Sequence, residues 1–251
     1  MDGGLIMNNF AYQLKINLKR FLLRNPFFFI FIISLPAVFY LIYTKVAITD
    51  APAGWNKRFL VSMIVYGILI NSLSTLSRIL SSDDKKGFKL FVKLSPTSLN
   101  SYYANIFLVF EFMNIIAVSA VALVGVFINK VNLSLENWLV LLVAVPVLCL
   151  PFALLGVLIS FVGDENAVGA LANLLMFTIA ILSGLWWPLS MMPDYLQKIG
   201  KIMPGYPASQ LSLDLLLKQN MSGNQLQTLF VWLIVLILIL GLVVKNKGRK
   251  A

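Results

Sequence analysis

Few residues of this chain could carry acid–base or nucleophilic chemistry, and histidine is not among them, since the chain has none. Without imidazole, Ser-His-Asp triads, His-based general base chemistry and His-x-x-x-His metal sites all fall away. The single cysteine, Cys149, stands in an apolar run and cannot form a disulfide within one chain. No Gly-x-x-x-x-Gly-Lys-Ser/Thr run occurs, so the chain lacks that phosphate-cradling loop. What remains is charge in particular places. Glu111 is the one acid deep inside an apolar stretch, where an ionisable group is costly and normally faces protein or water. It reads either as part of a substrate path or proton-sensitive element, or as a hydrogen-bonded contact between helices, the second being preferred.

The other chemical concentration is the stretch from Ser81 to Ser98. Ser82 is a plausible N-cap, with Asp83 and Asp84 where a helix N-terminus favours acids. Phe88, Phe91, Val92 and Ser95 then share one face, with Lys85, Lys86, Lys89 and Lys93 largely elsewhere, and Pro96 stops the helix. A short amphipathic helix over 83–95 can dock into a groove of a partner protein, or rest on lipid headgroups.

These residues must be positioned by something, and composition says what. Of the 251 residues 59% are hydrophobic and 12% charged, against about 25% charged in a soluble domain. Long uncharged runs read as membrane spans, and the length holds about six of them at ~20 residues each. The expected spans cover 27–44 (kinked at Pro36), 59–80, 102–128, 138–162 (interrupted by Pro146 and Pro151), 167–187 and 229–244. The fold class is therefore all-α, a polytopic membrane protein in one domain, 1–251. Asn71, Ser72, Ser74, Thr75 and Ser77 near the end of the second span can bond across helices or to their own backbone. Ala167, Gly169, Ala170, Ala172 and Asn173 allow close helix approach in the fifth, within the chain or between subunits.

The segment 8–25 is different. Phe10, Leu14, Leu18, Phe21 and Leu22 share a helical face, and Lys15, Lys19, Arg20 and Arg24 fill the rest. That is a basic amphipathic helix suited to an anionic membrane surface, with Pro26 turning the chain into the bilayer. Most of the 20 Lys and Arg fall in the N-terminal arm, the 78–100 loop and the C-terminal tail, which places those segments and both termini in the cytoplasm. The net charge of +10 thus reads as topology and lipid contact. Nucleic-acid binding is not expected, because no soluble basic face with interleaved aromatics accompanies it.

The segment 188–227 then faces outward and is too apolar for a solvated loop. Pro193 can start a helix whose apolar side is Tyr195, Leu196, Ile199, Ile202 and Met203, and Pro204 ends it. A second short helix near 208–219 carries Leu211 and Leu215. Together they suggest a re-entrant or interfacial hairpin, with Trp186, Trp187 and Tyr206 in the aromatic belt.

This layout resembles the permease subunit of a type 2 ABC exporter. The residues that carry the resemblance are Lys85-Lys86-Gly87-Phe88 through Leu94-Ser95-Pro96, and Ser183-Gly184 through Pro188, Met192-Pro193, Leu196, Ile199, Pro204 and Pro207. The resemblance implies a separate ABC ATP-binding subunit, dimeric, that binds ATP and Mg while this chain holds no cofactor. Lys86, Gly87, Phe88, Phe91, Val92, Ser95 and Pro96 would couple to that ATPase. Pro188, Pro193, Leu196, Ile199, Pro204 and Pro207 would belong to an outer gate, and the 8–25 helix would act as a lever. A second permease copy or a homologue would complete the pathway, meeting through the first and fifth spans. The cargo would be amphipathic (a drug, a lipid or an antimicrobial peptide), and the location a bacterial cell membrane. The alternative is a stand-alone secondary transporter or channel, which needs intramembrane ion-coupling residues and inverted repeats; Glu111 is its one candidate and no repeat is evident. A membrane-embedded enzyme lacks any catalytic constellation.

Overall fold

In the computed structural model, residues 3–24, 26–47, 54–88, 92, 94 and 99–248 are described. Phe91, Ser95 and Pro96 of the expected coupling helix lie outside them. The described chain is helical throughout, without strands. Helix α1 covers Gly3–Arg24 and α2 covers Pro26–Ile42, extended by a π-helical turn Tyr43–Ala47. Helix α3 runs through Trp55–Lys85, α4 covers Leu99–Phe127, and the pair α5 (Leu135–Leu148) and α6 (Leu150–Ile159) follows. Helix α7 is Glu165–Leu182, α8 is Asp194–Ile202, α9 is Gly205–Leu216 and α10 is Gly223–Gly248.

Four helices (α3, α4, α7 and α10) are each long and apolar enough to cross a bilayer. The α5–α6 pair, bent by 42°, passes the same test when its two helices are taken together. The break falls at Cys149, between Pro146 and Pro151, where missing N–H groups prevent a continuous ladder. The region of the expected first span is helical as α2, but its apolar part, Ile33–Val46, is shorter than a helix that crosses a bilayer. Among the described residues four helices, or five with the bent pair counted as one span, are thus long and apolar enough to cross, against the six expected.

Helix α3 is the axis of the bundle. At 1.5 Å per residue its 31 residues extend about 46 Å. Of its apolar window 94% is buried, against 11% for α10, so α3 packs on protein while α10 turns most of its apolar surface away from the bundle. Helices α2, α4, α6, α7 and α9 all touch α3. In a bilayer this packing is driven by close contact and hydrogen bonds, because lipid tails are as apolar as the side chains. One such approach dictates a residue. A Cβ on Gly156 of α6 would stand 2.1 Å from the backbone oxygen of Ser72, so only glycine fits there. Ser72 lies in a π-helical stretch of α3, Asn71–Leu76, all of it buried. Its hydroxyl donates to the Ile68 carbonyl at 2.7 Å, and Ser77 donates likewise to Leu73. These serines satisfy themselves on their own helix, one of the two expected roles.

The hairpin between α7 and α10 follows its prolines. Pro188 precedes a 3₁₀ turn, Leu189–Met191, while Pro193 and Pro204 are the residues flanking the starts of α8 and α9. Pro207 sits in the first turn of α9, where its missing N–H costs nothing. Two expectations are corrected. The second hairpin helix starts at Gly205 rather than near Ala208. The fifth span ends at Leu182, and Trp186 and Trp187 belong to the turn beyond it.

Candidate functional site

The Lys-rich end of α3 departs most from the sequence expectation. No helix starts at Ser82. Instead α3 continues without interruption to Lys85, so Asp83 and Asp84 stand in a C-terminal turn, where a helix dipole disfavours acids. Asp83 tolerates this because other charge is supplied to it. It is 2% exposed, forms an ion pair with Arg20 of α1, and accepts a 2.5 Å hydrogen bond from the Tyr102 hydroxyl of α4. Three helices thus meet on one carboxylate. The Arg20 guanidinium also lies 5.5 Å from the centroid of the Phe88 ring, and Phe88 lies 5.2 Å from the Tyr102 ring. Such cation–π and aromatic contacts add to the pair.

After Lys85 the chain turns sharply. The Gly87 amide donates to the Asp84 carbonyl at 3.2 Å, and Gly87 has φ +65°, a conformation suited to glycine. The turn sends Phe88 inward. Val92, 4% exposed, joins Leu76, Tyr102, Ile106 and Phe110 in a small apolar cluster that Phe88 flanks. The apolar side expected to face a partner is therefore covered by α4 at Phe88 and Val92. Lys85 and Lys86 are exposed, and Leu94 is 78% exposed.

Helix α1 docks along α4. Lys15 and Lys19 point outward, as a basic surface face requires, and Arg24 closes the helix. Its protein-facing line is polar, however. Asn17 is 5% exposed, and Gln13 accepts from Asn105 of α4 at 3.4 Å. Gln13, Asn17 and Arg20 recur at i, i+4 and i+7, a stripe visible in the sequence but overlooked beside the apolar one. Asp83 and Tyr102 carried no such signal, since their pairing joins three separate helices.

Glu111 is half-buried. It accepts from Asn114 on its own helix at 3.5 Å, and Asn114 in turn accepts a 2.7 Å bond from Asn71 of α3. The Glu111 bond thus stays within its own helix, and the bond between helices is the one from Asn71 to Asn114. Of the small residues in α7, Gly169 and Ala172 are buried, Gly169 against Arg78 of α3 at 3.0 Å from an added Cβ. Ala167, Ala170 and Asn173 stay exposed. In the hairpin, Pro204 and Pro207 are buried, Pro188 and Leu196 half-buried, and Pro193 and Ile199 exposed. The Trp232 indole of α10 donates to the Ile202 carbonyl at 2.8 Å and ties the hairpin to the last span.

Two comparisons with known proteins bear on this arrangement. The family described as ABC-2 family transporter protein matches residues 49–244. A putative transport permease of Bacillus subtilis (strain 168), YvfS, is 28% identical over 202 residues, which cover 80% of this chain and 82% of that protein. The family match takes in α3 to α10 almost entire, including the Lys-rich turn and the hairpin.

Proposed function

Because the chain belongs to the ABC-2 family of transporter proteins, and is thus the multi-pass membrane subunit of an ABC transporter, we propose that it works as an export permease. Its ABC ATP-binding partner would engage it at the Lys-rich turn after α3 and bind the ATP and Mg. The observation that carries the reading is the junction at Asp83. A push on the turn at Lys85–Lys86 is transmitted at once to α3, the buried axis, to α4 through Tyr102, and to α1 through Arg20. A partner seated at that turn could therefore move the whole bundle, which is what coupling to ATP hydrolysis requires.

The charge pattern supports a cytoplasmic location for this end, because the Lys and Arg of the arm, the turn and the tail collect there. A bacterial cell membrane is the expected site. The exposed Ala170 and Asn173 on α7 suit a second permease copy, since small residues let helices approach closely. Amphipathic molecules such as drugs, lipids or antimicrobial peptides are the cargo class that the apolar interior favours.

The contact surface is the exposed one: Lys85, Lys86 and Leu94. Leu94→Asp in the full chain is expected to abolish co-purification of the ATP-binding subunit while leaving membrane insertion and the yield of permease unchanged. Undiminished complex formation in Leu94→Asp combined with Lys85→Glu and Lys86→Glu would remove this docking assignment.

A further inference from the structure

The opposite end of α3 holds a cavity of about 230 Å³. It opens where the first turns of α3 meet the turn after α7 and the first half of α9. That volume is smaller than the ~300–1,000 Å³ of drug-sized pockets and suits a headgroup rather than a whole amphiphile.

The lining chemistry is one-sided. Arg58 is the one charged side chain in the wall, and it is exposed. Trp55, Trp187 and Tyr206 form the aromatic part of the wall. The hydroxyls of Ser62 on α3 and Ser209 on α9 stand 3.3 Å apart, so one proton of the pair can turn toward a guest. Two further groups in the wall lack partners. Ser183 is 2% exposed and Trp55 8%, yet the Ser183 hydroxyl and the Trp55 indole N–H make no hydrogen bond. Buried donors are normally satisfied, and each one left unpaired is unfavourable. Here both residues belong to the wall of one cavity that also carries Arg58.

We propose that this cavity binds the phosphate group of an amphiphile's headgroup. A phosphate offers several acceptor oxygens around one centre of negative charge, which suits a wall that carries a guanidinium together with serine hydroxyls. The aromatic side chains take the apolar start of the tail. Their position, at the level where Trp and Tyr collect in membrane proteins, puts the cavity at headgroup depth. The source is a membrane phospholipid or free phosphate, both of which supply this chemistry. The proposal does not depend on the direction of transport.

The test uses the full chain in a neutral maltoside detergent. The probes are dihexanoyl phosphatidylglycerol, dihexanoyl glycerol without phosphate, and inorganic phosphate, read by calorimetry and tryptophan fluorescence. Saturable binding of the phosphatidylglycerol and none of the diglyceride is expected. Arg58→Gln should weaken it at least tenfold, Arg58→Lys should keep most of it, and Ser183→Ala should weaken it less than Arg58→Gln. Competition by inorganic phosphate at similar concentration identifies free phosphate as the source, and competition only at far higher concentration identifies the lipid. Absence of binding by both phosphate probes, equal binding of the diglyceride, or unchanged affinity in Arg58→Gln would overturn the proposal. Arg58 is exposed, so an elution profile matching the unsubstituted chain suffices to show that the variant is folded.

Discussion

At Lys85, α3 ends beside a buried carboxylate whose partners come from two other helices. At Trp55, some 46 Å away at 1.5 Å per residue, the same helix begins beside a cavity with donors that have no partner. The first end is closed and cross-linked, the second open and under-satisfied. A buried ion pair joined to a hydrogen bond resists local opening, because pulling away one partner strands a charge. An unpaired donor beside a cavity has the reverse property, because a guest can only improve it. One rigid helix thus joins a mechanical junction to a site able to respond.

The comparison breaks most visibly at Arg20. Arg20→Ala leaves the Asp83 carboxylate buried without its cation, and should cost about 3–5 kcal/mol, read as a marked fall in melting temperature in detergent and protease cleavage near α1. Asp83→Asn in the same background should recover part of the loss, because the stranded charge is gone. Arg58→Gln at the far end should scarcely change the melt. Similar losses from Arg20→Ala and Arg58→Gln would erase the difference between the ends.

A smaller effect is expected at Asp164, which caps α7. Its carboxylate accepts from the amides of Ala167 at 2.8 Å and Asn166 at 2.9 Å. The Ala167 amide first, then that of Asn166 and the charge of Lys85, hold it below the usual carboxylate range, against an opposing desolvation second only to the Ala167 bond. A depressed pKa in the folded chain means the stabilisation is present above the unfolded value and lost as pH falls through the folded one. Asp164→Ala should therefore lower the melting temperature slightly at neutral pH, and the gap should close in acid. A gap that persists below the folded pKa would show that the cap acts by something other than its charge.

The smallest effect is expected midway between the ends. Glu111→Gln keeps an acceptor for Asn114 and leaves the 2.7 Å bond from Asn71 to Asn114 intact. Transport within about twofold of the unsubstituted chain is expected, a difference near 0.4 kcal/mol. Loss of transport would move the active element from the two ends to the centre of the bundle.

Much of the architecture was legible because the bilayer leaves a chain few options. Apolar runs become helices, prolines mark their breaks, and Pro188, Pro193 and Pro204 announced the hairpin. The reading slipped at Ser82. Local capping preferences favoured a new helix there, yet tertiary supply of Arg20 and Tyr102 let α3 run on through its acids. The apolar stripe at Phe88 and Val92 was also legible, but a stripe does not say whether it will meet another protein or its own neighbour, and here α4 covers it.

The sequence by itself determined that this is an all-α membrane protein, where its spans and prolines fall and where its positive charge collects, because solvation of backbone and charge is local and acts on each segment separately. Which carboxylate is buried, which glycine admits a neighbouring backbone and which residues line a cavity were decided only when the helices packed. Those outcomes depend on distances between residues far apart in the chain, such as Arg20 and Asp83 or Gly156 and Ser72.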